Sequence, residues 1–85
     1  MARLELYHFE GCPACKRAKE WIAQLRREKP ELAKVEVGMT DVYRTPDYTA
    51  PESFTYVPTF FLDGRKVAEG TVTREKVEEL LRAAL

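Results

Sequence analysis

The residues with the most evident chemistry are the two cysteines of the motif Cys12-Pro13-Ala14-Cys15. Proline suits the first position of a helix because it has no N–H group to leave unpaired, so a helix is predicted to begin at Pro13. Cys12 would then be the N-cap residue, and Cys15 would lie one turn along on the apolar stripe of the helix. The spacing therefore predicts an exposed Cys12 and a Cys15 that faces the interior.

This position favours the thiolate form of Cys12. The free N–H groups of Ala14 and Cys15 would point at its sulfur, and the helix dipole adds about half a positive charge there. A sulfur so placed in a Cys-X-X-Cys motif commonly has its pKa lowered from about 8.5 to between about 3.5 and 7.5. Lys16 would strengthen this effect, and Glu10 would oppose it.

Only a thiolate attacks a disulfide, so the pair is predicted to exchange thiols and disulfides. Cys12 would attack a substrate disulfide and form a mixed disulfide with it. Cys15 would then attack Cys12, release the reduced substrate and leave a redox-active Cys12–Cys15 disulfide. Both cysteines are thus candidate catalytic residues.

Three other interpretations of the cysteine pair stay open: an inert structural disulfide, two unrelated buried cysteines, and a site for a soft metal such as Cu(I). Small copper chaperones also carry Cys-X-X-Cys between a first strand and a first helix. Their chains end in a strand, whereas this chain has a strong helix pattern at its end. With two cysteines and one histidine, His8, the chain has too few ligands for a tetrahedral Cys₄ or Cys₂His₂ zinc site, and we expect no metal.

Length and charge narrow the classes of partner. Eighty-five residues suffice for one domain, 1–85, of modest stability. Lys plus Arg and Asp plus Glu each number 14, so the net charge is zero, which argues against nucleic acid or an anionic membrane as a partner. No stretch is apolar enough for a membrane span, and the first residues lack the apolar core of a signal peptide. We expect a cytoplasmic monomer.

The elements around the motif follow from periodicity. Alternation over residues 3–9 predicts a strand, and the apolar stripe after Pro13 predicts a helix that ends by Lys29, before Pro30. Residues 35–37 are predicted to form a short second strand. Segment 38–56 has no clear pattern: Pro46 and Pro51 exclude a long helix, although Thr45-Pro46-Asp47 could cap a short one.

The C-terminal part has clearer signals. An apolar strand over 59–62 leads to Asp63-Gly64, a two-residue hairpin signal, and residues 65–69 would pair back. Thr73 is predicted to cap a final helix, with Val72 and Val77 as a hydrophobic staple. The order β-α-β-(irregular)-β-β-α predicts one α/β domain with a small mixed sheet and helices on its faces.

Two segments resemble the thioredoxin superfamily, and more closely its small glutaredoxin-like members. They run from Phe9 to Lys16, around the cysteine pair, and from Tyr56 to Gly64, which contains Val57-Pro58-Thr59 before an apolar strand. The resemblance implies a thioredoxin-like fold with a four-stranded mixed sheet flanked by helices.

The resemblance also implies the substrate site. It implies a cis Val57–Pro58 bond beside the cysteines and a Val57 backbone that pairs with an extended substrate chain, like an added strand. By itself, Pro58 could merely begin a strand. With Pro13 and Tyr56, these two residues are the candidate substrate-binding residues.

Some positions depart from the family pattern. Gly11 stands where thioredoxins usually have tryptophan, and Leu6 where they usually have a buried aspartate. His8 and Phe9 stand where glutaredoxins often have a lysine. Residues 69–72 replace a Gly-Gly pair and the acidic residue that help glutaredoxins hold glutathione, so dithiol exchange with proteins is favoured over glutathione recognition.

Five other side chains need an assignment. His8 could add positive charge or shuttle a proton, or be a buried structural residue. Trp21 is predicted to belong to the core. Tyr43 and Tyr48 are predicted to be structural, while both roles stay open for Tyr56.

The function expected is a protein-disulfide reductase with no bound cofactor. Its partners would be disulfide-containing proteins and either a reductase or glutathione as reductant. A glutathione-dependent glutaredoxin is the first alternative. The second, of a different class, is a non-catalytic metal-binding or interaction module on the same fold.

Overall fold

A computed structural model describes residues 2–44 and 53–85 of the chain. The elements follow the predicted order: β1 (Leu4–His8), α1 (Pro13–Glu28), a 3₁₀ helix (Pro30–Lys34), β2 (Val37–Asp41), β3 (Thr59–Leu62), β4 (Arg65–Glu69) and α2 (Arg74–Ala83). In this part of the chain, neither α1 nor α2 is long and apolar enough to span a bilayer.

The four strands form one mixed sheet in the order β2-β1-β3-β4. β1 pairs with β2 in parallel, as the α1 crossover between them requires, and with β3 in antiparallel orientation. Tyr7, near the carboxyl end of β1, lies opposite Thr59 at the start of β3. The loop that leaves β1 and the loop that enters β3 therefore lie at the same end of the sheet. The predicted fold class is confirmed.

One hydrophobic core joins α1 and α2 to the same face of the sheet. Leu4, Leu6 and Phe60 are fully buried on this face. The helices contribute a larger apolar set: Ala18, Ile22, Leu25, Val77, Leu80 and Leu81. Each leucine fully removed from water contributes about 1.5–3 kcal/mol, so this core holds α1 in place against β1. Trp21 is partly buried and packs against the core, as predicted.

Three aromatic rings cover the opposite face of β1 and β3. The centroid of Tyr7 lies 5.4 Å from that of Phe54 and 5.3 Å from that of Phe61. Such tilted contacts are the favoured geometry of aromatic pairs. Both faces of β1 are therefore buried, and Phe54 fixes the chain that approaches β3.

The second strand was placed too early by the sequence. Val35 is buried but caps the 3₁₀ helix, and β2 begins at Val37 and continues to Asp41, inside the segment predicted to be irregular. The pairing with β1 decides these bounds, because Leu4 lies opposite Val37 and His8 opposite Asp41. The short helix considered near Thr45 lies outside the described residues.

The predicted hairpin is confirmed. Asp63 and Gly64 have positive φ angles of 50° and 82°, as a two-residue turn of this type requires. Asp63 also accepts a hydrogen bond from the Arg3 N–H at 2.9 Å through its carboxylate. This contact ties the turn to the residue before β1.

The predicted start of α2 is confirmed as well. Thr73 is the N-cap residue, and its hydroxyl accepts a hydrogen bond from the Lys76 N–H at 3.1 Å. Val72 and Val77, on either side of the cap, are both buried. The cap and the apolar pair together set the angle at which α2 enters the core.

Replacing Thr73 with alanine removes this cap, so Thr73→Ala should lower the free energy of unfolding by about 1 kcal/mol. Urea denaturation measures the difference. Thr71→Ala is the matched control, because Thr71 is exposed and lies outside the helix. Equal stabilities of the two variants would contradict a capping role.

Candidate active site

Cys12 lies at the junction between β1 and α1. It is the N-cap residue, with φ −89° and ψ 112°, and Pro13 occupies the first helical turn. The Cys15 N–H donates a hydrogen bond to the Cys12 sulfur at 3.3 Å, and the Cys12 carbonyl accepts one from the Lys16 N–H at 3.0 Å. The predicted geometry of the motif is confirmed. Of the two predicted donors, the N–H groups of Ala14 and Cys15, the structure shows a hydrogen bond from Cys15.

Gly11 makes the sharp turn into this cap possible. Its φ of 88° lies in the left-handed region that favours glycine. A Cβ atom there would meet no atom within 4 Å, so the constraint is conformational and not steric crowding. A tryptophan at this position would be strained, which gives a physical reason for one departure from the thioredoxin pattern.

The two cysteines differ in exposure. Cys12 is partly exposed, whereas Cys15 is 1% exposed and faces the core, as predicted. Burial, followed by the side-chain hydrogen bond with Cys12, raises the pKa of Cys15 to about 11. Cys15 is therefore a thiol at neutral pH, and Cys12 is the sulfur that a substrate can reach.

A cavity of about 330 Å³ opens beside Cys12. Its wall includes the side chains of Phe9, Lys16 and Lys19. Lys19 lies one helical turn beyond Cys15, and its positive charge acts against the rise in the pKa of Cys15. Sequence analysis missed Lys19, although its position four residues after Cys15 places both on one face of α1.

The opposing charge of Glu10 has a partner. The Glu10 carboxylate lies 2.8 Å from the Arg44 guanidinium, so its negative charge near Cys12 is partly balanced. Next to this pair, the ring of Tyr43 packs on Phe9 with 4.9 Å between centroids. Tyr43 is 76% exposed. The segment after β2 thus borders the cysteine loop, which the sequence did not indicate.

The segment before β3 lies at the same end of the sheet as the cysteine loop. The Val57–Pro58 bond is cis, as the resemblance implied. Pro58 is buried, and its carbonyl accepts a hydrogen bond from the Gly70 N–H at 2.9 Å. The Thr59 hydroxyl donates to the Tyr56 carbonyl. These contacts fix the segment at the end of the sheet from which the cysteine loop also departs.

The remaining substrate-binding candidates are accessible. Tyr56 is 67% exposed, and Pro13 is exposed next to Cys12. Among residues 2–44 and 53–85, the backbone N–H and C=O of Val57 have no hydrogen-bond partner.

The surroundings of His8 disfavour a positive charge on its side chain. It is buried on β1 opposite Asp41. Burial, followed by the charge of Lys19, lowers its pKa below the ordinary value, against smaller effects of Asp41 and Glu10, so it is neutral at pH 7. The lowered pKa counts against the suggestion that His8 adds positive charge. Its burial fits a structural residue, although within the described ranges its Nδ1 atom is buried without a hydrogen-bond partner.

The structure also bears on Leu6, on Tyr48 and on metal binding. Leu6 is fully buried in the core, so its position offers no carboxylate to accept the proton of Cys15. Tyr48 lies outside the described residues. In the described ranges, no cluster of three or more histidine, cysteine or acidic side chains is placed to hold a metal ion.

Comparison with solved structures identifies the architecture. Thioredoxin from Fasciola hepatica superposes with a TM-score of 0.70 at 24% identity, over 99% of this chain and 81% of its own. Oxidised thioredoxin from Plasmodium falciparum gives 0.72 at 20% identity, over 99% and 82%. Mitochondrial thioredoxin 3 from Saccharomyces cerevisiae gives 0.68 at 21% identity, over 96% and 77%.

The chain has the thioredoxin fold. No family model and no curated protein sequence matches it. At these identities the likeness establishes the fold of the chain. The Cys12–Cys15 pair and the cis Val57–Pro58 bond are therefore features of a chain with the thioredoxin fold.

The difference between the two sulfurs predicts selective labelling. At pH 7.5, iodoacetamide should modify Cys12 at least about tenfold faster than Cys15, because burial and the raised pKa keep Cys15 protonated and inaccessible. Peptide mass mapping over time measures both rates. In 8 M urea the difference should vanish. Preferential labelling of Cys15 in the folded protein would contradict the assignment.

Proposed function

We propose that the protein is a thiol–disulfide oxidoreductase that reduces protein disulfides through Cys12 and Cys15. The observation that carries the proposal is the hydrogen bond from the Cys15 N–H to the Cys12 sulfur, 3.3 Å long, at the start of α1. This bond stabilises negative charge on the accessible Cys12 sulfur, and the Cys15 sulfur lies one helical turn further along α1. The thioredoxin fold supports the same chemistry.

The first step is attack by the Cys12 thiolate on a substrate disulfide. A bond forms between Cys12 and one substrate sulfur, the substrate S–S bond breaks, and the other substrate sulfur leaves as a thiolate that takes up a proton. The partly exposed position of Cys12 beside an open cavity allows the nearly linear approach of three sulfurs that this exchange requires.

The second step uses Cys15. Its thiol loses a proton to solvent, and its sulfur attacks the Cys12 sulfur. The Cys12–Cys15 bond forms, the bond between Cys12 and the substrate breaks, and the second substrate sulfur leaves as a thiolate that takes up a proton. In the mixed disulfide Cys12 no longer carries charge, and that charge is one cause of the raised pKa of Cys15. Lys19 further favours the Cys15 thiolate. In total, two electrons pass from the dithiol to the substrate, so no bound cofactor is needed.

Protein substrates would dock along Val57. Its free backbone N–H and C=O can pair with an extended chain, as an added strand does. Pro58 fixes the end of that segment, and Tyr56 and Pro13 offer exposed apolar surface. These four residues form the proposed substrate-binding site.

For recycling, we propose reduction of the Cys12–Cys15 disulfide by a reductase in the cytoplasm, where the protein would act as a monomer. Recycling by glutathione is the alternative. The carboxylate nearest Gly70 is Glu69, and it is already bound to backbone N–H groups and to Lys66. It is therefore not free to hold the amino group of a glutathione molecule.

Insulin reduction by dithiothreitol tests the activity. The wild-type protein should accelerate insulin precipitation, and Cys12→Ser should abolish the acceleration, because the attacking sulfur is lost. Glu79→Gln, which changes an exposed carboxylate on α2, is the control and should behave as wild type. If the wild-type protein causes no acceleration at any pH, a non-catalytic module replaces the oxidoreductase proposal.

Cys15→Ser separates the protein reductase from a glutaredoxin. Without the resolving thiol, the variant should accumulate mixed disulfides with protein substrates, detectable by non-reducing electrophoresis and mass spectrometry. Its multiple turnover of a glutathionylated peptide should fall at least about tenfold, because protein-type exchange needs both sulfurs. Turnover near the wild-type rate would instead favour the glutathione-dependent alternative.

A further inference from the structure

Side chains of β4 hold the backbone that precedes the cis proline. One carboxylate oxygen of Glu69 accepts hydrogen bonds from the N–H groups of both Thr55 and Tyr56, the latter at 3.0 Å. The ammonium group of Lys66 lies 2.9 Å from the other oxygen and donates to the Ser53 carbonyl at 3.0 Å. Residues 53–56 are thereby fixed to the edge of the sheet.

The hydrogen bonds that the Glu69 carboxylate accepts belong to a strong class. A carboxylate that accepts from backbone N–H groups makes charge-assisted bonds, about twice as strong as neutral ones. The Glu69 side chain is 23% exposed and that of Lys66 is 29% exposed, so water screens this pair only in part. The Lys66 contact, followed by the two N–H bonds, lowers the pKa of Glu69 to about 2, and the carboxylate stays ionised at neutral pH.

The position of this carboxylate matters for the site. Glu69 lies opposite Thr59 in the β3–β4 pairing, and the next residue, Gly70, donates to the Pro58 carbonyl at 2.9 Å. Val57 lies between the segment bound by Glu69 and the proline bound by Gly70. Its own backbone groups are left free of intramolecular partners in the described ranges.

We propose that Glu69 is a positioning residue that fixes the substrate-docking backbone at Tyr56 and Val57, so that recognition of extended protein chains depends on it. The inference rests on the proposed function, since it concerns the substrates of the same site. A chain that pairs with Val57 needs this backbone in one orientation before it binds, whereas a small disulfide needs only the Cys12 sulfur.

Removal of the Glu69 carboxylate should therefore affect extended protein substrates and small disulfides to different degrees. In Glu69→Ala, the KM for insulin should rise about tenfold with little change in kcat, because the backbone is no longer ordered before the substrate binds. A tenfold change corresponds to about one charge-assisted hydrogen bond. Reduction of the small disulfide 5,5′-dithiobis(2-nitrobenzoate) should slow by less than about twofold. Glu69→Gln keeps one amide oxygen as acceptor and should give an intermediate KM.

Amide hydrogen exchange provides a measurement that needs no activity. The Thr55 and Tyr56 amides should be protected in the wild-type protein and in the control Glu79→Gln, and should exchange at least about tenfold faster in Glu69→Ala. If Glu69→Ala does not fold, as judged by circular dichroism, Glu69→Gln carries the same test with a smaller expected effect.

The outcomes distinguish the two proposals. If the wild-type protein reduces no disulfide, the proposed function fails, and the docking role proposed for Glu69 fails with it, whatever the exchange shows. If the wild-type protein is active but the Thr55 and Tyr56 amides are as protected in the variant as in the wild type, positioning by Glu69 is overturned. Equal slowing of insulin and of the small disulfide would also overturn it, because that result indicates a general structural role.

Discussion

The site depends on one hydrogen bond, from the Cys15 N–H to the Cys12 sulfur. That bond requires the chain to leave β1, turn sharply at Gly11 and begin a helix at Pro13 with a cysteine as its N-cap. The first N–H groups of a helix have no partners within the helix, so a sulfur at the cap is a natural acceptor for one of them. The same geometry buries Cys15 and raises its pKa, so one local turn assigns different roles to two identical side chains.

The rest of the fold places this turn and the proline segment at the same end of the sheet. The core beneath α1 fixes the helix on the sheet, and the pairing of Tyr7 with Thr59 brings the start of β3 to the end of β1. From the other side, Glu69 and Gly70 of the β4 end bind the backbone on both sides of Val57. The site is thus assembled from segments far apart in sequence, each fixed by contacts of its own.

Features governed by local rules could be predicted from the sequence. The cap at Cys12, the positive φ angles at Asp63 and Gly64, and the cap at Thr73 each follow from a few adjacent residues. Features set by pairing could not. β2 runs from Val37 to Asp41 because of its register with β1, and residues 38–41 gave no strand signal.

The network of Glu69 also escaped prediction, because it joins side chains of β4 to a backbone more than ten residues away. The same holds for the packing of Tyr43 on Phe9 and the pairing of Arg44 with Glu10. The most direct test of the dithiol chemistry is a redox titration of the protein in glutathione buffers, with free thiols alkylated and counted by mass. One two-electron transition, in which Cys12 and Cys15 lose their thiols together at a midpoint between about −270 and −120 mV, is expected. Cysteines that stay reduced throughout, or that form separate glutathione adducts without a Cys12–Cys15 disulfide, would contradict it.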